Sequence, residues 1–171
     1  MFEKCLKKRK ISNIFSAGGP SPIEQLLAMA EDNYWIVLDT DILHLGKNDR
    51  QFNIRVNAFK HSLQTYGPNV PNLIHNTGKA KGLVFHGHIR NSNGTTYVLE
   101  WEVIAKERRI MTLRGFGPHE NYKYQQTPLD PKDRLNILSK PTNLLILDKI
   151  PLKIMEAKNK VNNSLTNKQM R

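Results

Sequence analysis

Residues 78–124 decide the fold, and they read GKAKGLVFHGHIRNSNGTTYVLEWEVIAKERRIMTLRGFGPHENYKY. Three β-prone runs lie in this stretch: Leu83–Arg90, Thr95–Ile104 and Arg109–Phe116. Asn93 and Gly94 separate the first two runs, and Asn-Gly between alternating runs is the strongest short-range hairpin signal. A charged turn at Lys106 and Glu107 separates the second run from the third. The stretch therefore predicts an antiparallel meander of three strands.

The alternation of side chains along a strand sorts this meander into two faces. One face collects apolar side chains: Leu83, Phe85, Ile89, Tyr97, Leu99, Trp101, Val103, Met111 and Leu113. The opposite face collects polar side chains: His86, His88, Arg90, Glu100, Glu102, Thr112 and Arg114. The apolar face can be buried against helices. A solvent-exposed sheet face does not require imidazole groups, so the histidines on the polar face are the first indication of a functional site.

The segments around the meander predict helices and short strands. Before it, a helix begins at Ser21 with a capping box to Glu24, a short strand covers Tyr34–Leu38, and a second helix extends from Asp49 to Tyr66. After it, we expect a helix over Pro131–Leu138, a β-type run at Leu144–Leu147 and a weak helix over 152–162. The fold class is therefore α+β, with a small antiparallel or mixed sheet packed on one face by helices, and with N- and C-terminal extensions.

Composition along the chain suggests five segments. They are a basic flexible arm over 1–20, a helix–strand extension over 21–48, a helix-plus-sheet core over 49–124, a C-terminal extension over 125–161 and a disordered tail over 162–171.

The charge and composition of the 171 residues limit the class of partner. The net charge of +11 favours a polyanion such as RNA or DNA, with an anionic membrane surface as the alternative. No apolar run approaches the roughly 18 residues that span a bilayer, and the basic N-terminus lacks the apolar stretch of a secretory signal. We therefore expect a cytoplasmic protein without a membrane span. A single cysteine excludes an intrachain disulfide and a cysteine-based zinc site.

Two metal-dependent interpretations can be weighed from the residues. The strand Tyr34–Leu38 runs into Asp39-Thr40-Asp41-Ile42-Leu43, which resembles the opening of PIN-domain nucleases, and this is a lesser alternative. Zinc held by His86 and His88 would need a third ligand from His75 or His119. The cationic Arg90 on the same face opposes such a site, so we expect no metal and no cofactor.

Metal-free RNA cleavage fits the charge better. It needs a base for the 2′-hydroxyl proton, an acid for the leaving 5′-oxygen, and cations for the phosphorane. The sequence supplies these groups within a short span: His75, His88, His119 and Glu102 for proton transfer, and Lys81, Arg90 and Arg114 for the phosphate.

Residues 49–124 resemble the RelE/ParE superfamily of toxin–antitoxin ribonucleases, and most closely its histidine-using YafQ-type branch. The matching pieces are His75 before Gly78-Lys79, Phe85-His86-Gly87-His88-Ile89, the strand Tyr97–Val103, and Leu113–Phe116 followed by Gly117-Pro118-His119-Glu120-Asn121-Tyr122. The helix Asp49–Tyr66 corresponds to the helix that packs on the sheet of that family. The hairpin loop Asn91–Gly94 lacks the acidic residue of that branch, for which Glu100 or Glu102 would compensate.

The resemblance implies an endoribonuclease that cleaves mRNA, including mRNA on the ribosome, with a small acidic antitoxin as protein partner. His88 or His75 would be the general base and His119 the general acid. Phosphates would bind the basic side chains Lys79, Lys81, Arg90 and Arg114. Tyr122 would stack on a base or orient the acid. The alternative is a non-catalytic module of the same fold that binds nucleic acid or protein.

Overall fold

A computed structural model of the chain describes residues 19–43, 49–70, 75–76, 84–90, 93–124 and 127–169. Most of the predicted basic arm, together with Lys79 and Lys81, lies outside the described residues. His75 is described through its backbone alone.

Five strands form one mixed sheet in the described part of the chain. They are β1 (Ile36–Leu38), β2 (His75–Asn76), β3 (Val84–Arg90), β4 (Thr96–Ala105) and β5 (Ile110–Pro118). Their order across the sheet is β1-β5-β4-β3-β2. The strand β1 pairs parallel with β5, and the other neighbours pair antiparallel. The predicted meander is confirmed as β3–β5, and the α+β class with a mixed sheet is confirmed with it.

The helices of the described ranges are α1 (Pro22–Ala30), α2 (Arg50–Tyr66), α3 (Pro131–Ser139) and α4 (Pro141–Gln169). The predicted capping box is present, since the Ser21 hydroxyl accepts from the Glu24 amide at 3.2 Å and the Glu24 carboxylate accepts from the Ser21 amide at 2.8 Å. The Asp49 carboxylate caps α2 at the Phe52 amide, 2.9 Å away. These caps satisfy backbone donors that no carbonyl of the helix can reach.

Two predictions about the C-terminal part are wrong. The apolar run Leu144–Leu147 is not a strand but the second turn of α4, and residues 162–169 are helical. Pro141 occupies the first turn, where a missing N–H costs nothing, and Pro151 lies inside the helix. The more buried positions of α4 recur at helical spacing, so the short apolar run belongs to one stripe along a long helix: Ile146, Leu147, Ile150, Ile154, Ala157 and Val161.

The apolar face of the sheet packs against α2, as the alternation predicts. The main core joins four residues of the helix, Phe52, Val56, Phe59 and Leu63, to sheet residues that include Phe85, Leu99, Trp101, Met111 and Leu113. At its centre the rings of Phe59 and Trp101 meet edge to face at 5.5 Å. Burial of these side chains is the main favourable contribution to folding here.

The opposite face carries a second, smaller apolar layer that the sequence does not predict. Leu38, Ile104 and Ile110 are buried there against Leu129 and the residues Ile137, Leu138, Ile146 and Leu147 of α3 and α4. This layer covers the β1 end of the polar face. The β3 end and the segment after β5 retain the polar and aromatic side chains described below.

Strand pairing and helix packing both join the described part of the segment 21–48 to the rest of the structure. The strand β1 extends the sheet at β5, and α1 packs against α4, where Ala28 and Ala157 are buried. Asp32 follows α1 and forms an ion pair with Lys158 of α4 at 2.9 Å, and its carbonyl accepts a hydrogen bond from the Arg109 guanidinium.

Candidate functional site

Three histidine rings follow one another on the polar face. His86 and His88 project from β3, and their ring centroids are 5.4 Å apart. His119 begins the short 3-10 turn that follows β5, and its ring centroid lies 5.0 Å from that of His88. The pairing of the strands explains this meeting, because Val98 of β4 lies opposite His88 on one side and Gly117 on the other. The structure therefore brings His88 and His119 together, as the sequence analysis expects.

An open cleft of about 320 Å³ lies at this point, lined by His88, Arg90, Thr96 and His119. His119 and Arg90 are exposed, whereas His88 is half-buried. The guanidinium of Arg90 is permanently charged and lines the same cleft as the two imidazoles. Each imidazole can give or accept a proton. Such a set can bind a phosphate group and exchange protons with the atoms attached to it.

A buried ion-pair cluster lies beneath this surface. Glu100 and Glu102 are fully buried. Arg114 Nη1 is 2.9 Å from Glu102 Oε2, and Arg114 Nε is 3.9 Å from Glu100 Oε1. Arg134 of α3 reaches Glu102 Oε1 at 3.2 Å, and the Leu129 amide donates to the same carboxylate at 3.0 and 3.1 Å. The cluster therefore joins β4 and β5 to α3 through opposite charges.

This cluster corrects two site predictions. Glu102, expected as a catalytic group, has no solvent exposure, and Arg114, expected to bind phosphate, has a side chain that is 5% exposed. Both residues are on the predicted face, but the segment containing Leu129 and α3 covers them there. Alternation along a strand shows which face a residue occupies and not which part of that face is covered by a distant segment.

The Tyr122 ring packs over β5, and its hydroxyl reaches Glu100 of the buried ion-pair cluster. A β-carbon on Gly115 would overlap the Tyr122 hydroxyl, and one on Gly117 would lie 3.3 Å from the ring. Burial raises the pKa of Tyr122, and the charge and hydrogen bond of Glu100 raise it further. The phenol is therefore a neutral donor to the Glu100 carboxylate. Tyr122, predicted to contact substrate, is anchored on the sheet through this bond.

Tyr124 extends the row of rings beyond the histidines. Its ring centroid lies 4.7 Å from that of His86 and 5.0 Å from that of Tyr122. Burial and the nearby Glu100 carboxylate raise the pKa of Tyr124. The row runs Tyr122, Tyr124, His86, His88, His119, and we call it the ring row. Tyr124 and Thr96 were not predicted from the sequence, and the position of Thr96 opposite Arg90 follows from the register of β3 and β4 in the structure.

Three further residues were predicted for the site: His75, Lys79 and Lys81. The backbone of His75 pairs with that of His86 in the β2–β3 register. Lys79 and Lys81 lie outside the described residues.

Asp39, the first carboxylate of the PIN-like interpretation, forms a separate polar contact. Its carboxylate accepts from Lys140 at 3.0 Å, from Asn143 at 3.2 Å and from the Thr112 hydroxyl at 3.3 Å. These bonds fasten the end of β1 to β5 and to the start of α4. Among the residues that the structure describes, no three His, Cys, Asp or Glu side chains are grouped so that they could hold a metal ion.

None of the helices in the described ranges is both long enough and apolar enough to cross a bilayer. Comparisons with protein-family models, with curated proteins and with solved structures find no match to this chain.

Proposed function

We propose that this chain is a metal-independent endoribonuclease in which His88 and His119 transfer protons and Arg90 binds the scissile phosphate. The observation that supports the proposal most is the meeting of the two imidazoles, 5.0 Å apart, in an open cleft that also contains Arg90. The net charge of +11 supplies the long-range attraction for RNA.

The chemistry assigned to the cleft uses the RNA's own 2′-hydroxyl as nucleophile. His88 accepts the proton of that hydroxyl, and the oxygen attacks the adjacent phosphorus. His119 donates a proton to the 5′-oxygen, and the bond between phosphorus and that oxygen breaks. Arg90 stabilises the extra negative charge of the phosphorane. The products are a 2′,3′-cyclic phosphate and a free 5′-hydroxyl.

Because one imidazole must be neutral and the other protonated, cleavage should show a bell-shaped dependence on pH. His75 is the second candidate for the base, by its place in the register opposite His86. The resemblance to the RelE/ParE superfamily adds the finer parts of the proposal. These are mRNA as substrate, the ribosome as its setting, and an acidic antitoxin that would cover the basic face.

The test is cleavage of free RNA and of ribosome-bound mRNA in EDTA. Replacement of His88 or His119 by alanine should slow cleavage by about 10²–10⁴-fold, the usual contribution of a positioned acid or base. His61→Ala is the matched control, since His61 lies on α2 and contacts Gln64 at 3.1 Å, away from the cleft. The control should cleave like the wild type.

Unchanged cleavage by both cleft variants would contradict the proposal, as would the absence of cleavage by the wild type on either substrate. Salt-dependent RNA binding without any cut product would favour the non-catalytic binding module instead.

A further inference from the structure

We propose that His86 and Tyr124 form a stacking subsite for one base of a single-stranded nucleic acid, next to the cleft of His88 and His119. This inference rests on the proposed function for the identity of the neighbouring cleft. Its own evidence is the geometry of the ring row.

The ring row gives the subsite its position. His86 and Tyr124 have ring centroids 4.7 Å apart at an interplanar angle of 56°, and the next ring, that of His88, is 5.4 Å from His86. Both His86 and Tyr124 are half-buried, so each residue keeps some contact with solvent. A phosphate bound in the cleft beside His88 and His119 would therefore place an adjacent base at His86 and Tyr124.

The support beneath Tyr124 makes the subsite rigid. Tyr122 contacts Tyr124 edge to face at 5.0 Å. Tyr122 in turn rests on the glycines of β5 and donates its hydroxyl to the buried Glu100. Rings fixed before binding lose little conformational entropy when a base stacks on them, which favours affinity.

The chemistry of the subsite selects unpaired bases. The bases of a duplex already stack on their neighbours, whereas the bases of a single strand offer free faces to aromatic side chains. Lys123 lies between the two tyrosines and is exposed, and Arg90 is exposed at the other end of the row. Aromatic faces flanked by cations are the arrangement that proteins use to bind single strands.

The experiment measures binding of the full chain to a 2′-O-methyl RNA single strand, which lacks the nucleophilic hydroxyl and is not cut, and to the matched duplex. Tyr124→Ala should weaken single-strand binding by about 5- to 150-fold, the range for loss of one stacked base. Tyr124→Phe keeps the ring and should bind within about twofold of the wild type. His86→Gln removes the other ring and should also weaken single-strand binding. Tyr66→Ala is the control, since Tyr66 lies at the end of α2, which packs on the opposite face of the sheet. This variant should bind the single strand like the wild type.

The outcomes separate this inference from the proposed function. Tyr124→Ala that binds the single strand like the wild type, while RNA cleavage still depends on His119, overturns the subsite alone. Equal losses for single strand and duplex also overturn it, because they indicate a general disturbance. Selective loss of single-strand binding in a protein that cleaves no RNA supports the subsite and overturns the nuclease.

Discussion

The carboxylate of Glu102 forms ion pairs with Arg114 and Arg134 and accepts a hydrogen bond from the Leu129 amide. It has no contact with solvent. A buried ion pair adds little over a well-packed apolar substitute, because desolvation opposes the Coulomb attraction. Loss of one partner is different, since the other charges stay buried without compensation. The cluster is therefore sensitive to single substitutions.

We expect Glu102→Ala to lower the free energy of unfolding by about 3–5 kcal/mol, because the buried Arg114 would lose the carboxylate that lies 2.9 Å from its guanidinium. Urea unfolding followed by circular dichroism measures this. The matched control is Glu107→Ala in the exposed turn between β4 and β5, which should change stability by less than about 0.5 kcal/mol. Equal, small effects for the two variants would contradict the structural role assigned to Glu102.

For single residues of a strand, the sequence predicts on which face of the sheet the side chain lies but not which distant segment packs over it. His88 and His119 meet because two strands and a turn bring them together, and both were expected at the site. Glu102 and Arg114 share the polar face, yet Arg134 and Leu129, which come from a segment far along the chain, close over them. Nothing in the local alternation of β4 or β5 specifies that packing.

The strand β5 depends on two small residues for its contact with the segment that follows it. Gly115 and Gly117 leave the space in which the Tyr122 ring lies. Neither glycine has a positive φ angle, so an alanine at either position would act through steric overlap alone.

We expect Gly115→Ala to destabilise the fold by about 1–3 kcal/mol, the usual cost of overpacking, because its methyl group would displace the Tyr122 hydroxyl from Glu100. Gly117→Ala, whose methyl group would meet the ring at 3.3 Å, should have a smaller effect. Chemical denaturation measures both.

A double-mutant cycle with Tyr122→Ala identifies the cause. If the clash with Tyr122 explains the loss, Gly115→Ala should cost much less stability when Tyr122 is already alanine. Additive effects would show that Gly115 acts through another contact.

Helices and turns with a strong local sequence signal are predicted well. The helix α4 is an example in which the local signal is misleading. The capping box at Ser21 and the antiparallel pairing predicted on either side of Asn93 and Gly94 have complete local signals in the sequence, and both are present in the structure. In α4, Pro141 and Pro151 bracket an apolar run of the length of a strand. Only the packing of Ile150 and Ala157 along a helical stripe shows that one helix passes through Pro151.

The charge of the whole molecule leads to a prediction about salt. A chain of net charge +11 that binds RNA through its phosphates should release counterions, so the logarithm of affinity should fall linearly with the logarithm of salt concentration. Arg90→Gln should reduce the magnitude of the slope by about 0.7, the value for one phosphate contact on a single strand. Fluorescence anisotropy over a salt series measures it.

Lys168→Gln near the end of α4 is the control for this prediction, because it removes the same charge away from the cleft. An unchanged slope for Arg90→Gln, or the same decrease for both variants, would contradict a specific contact between Arg90 and phosphate.

Contacts between distant parts of the chain are beyond sequence reasoning. The parallel pairing of β1 with β5 joins residues 74 positions apart, since Ile36 pairs with Ile110. The packing of α1 on α4 joins residues more than a hundred positions apart. A three-residue strand and a helix of nine residues carry no local information about these partners.

The packing of α1 against α4 has a consequence for protein synthesis. Residues 22–30 precede α4 in the chain by more than a hundred positions, so the part of their apolar surface that packs on α4 stays uncovered until residues 141–169 have been synthesised. The pairing of β1 has a similar requirement, because its neighbour β5 is synthesised about seventy residues later. This side of the molecule can therefore close only after α4 has been synthesised.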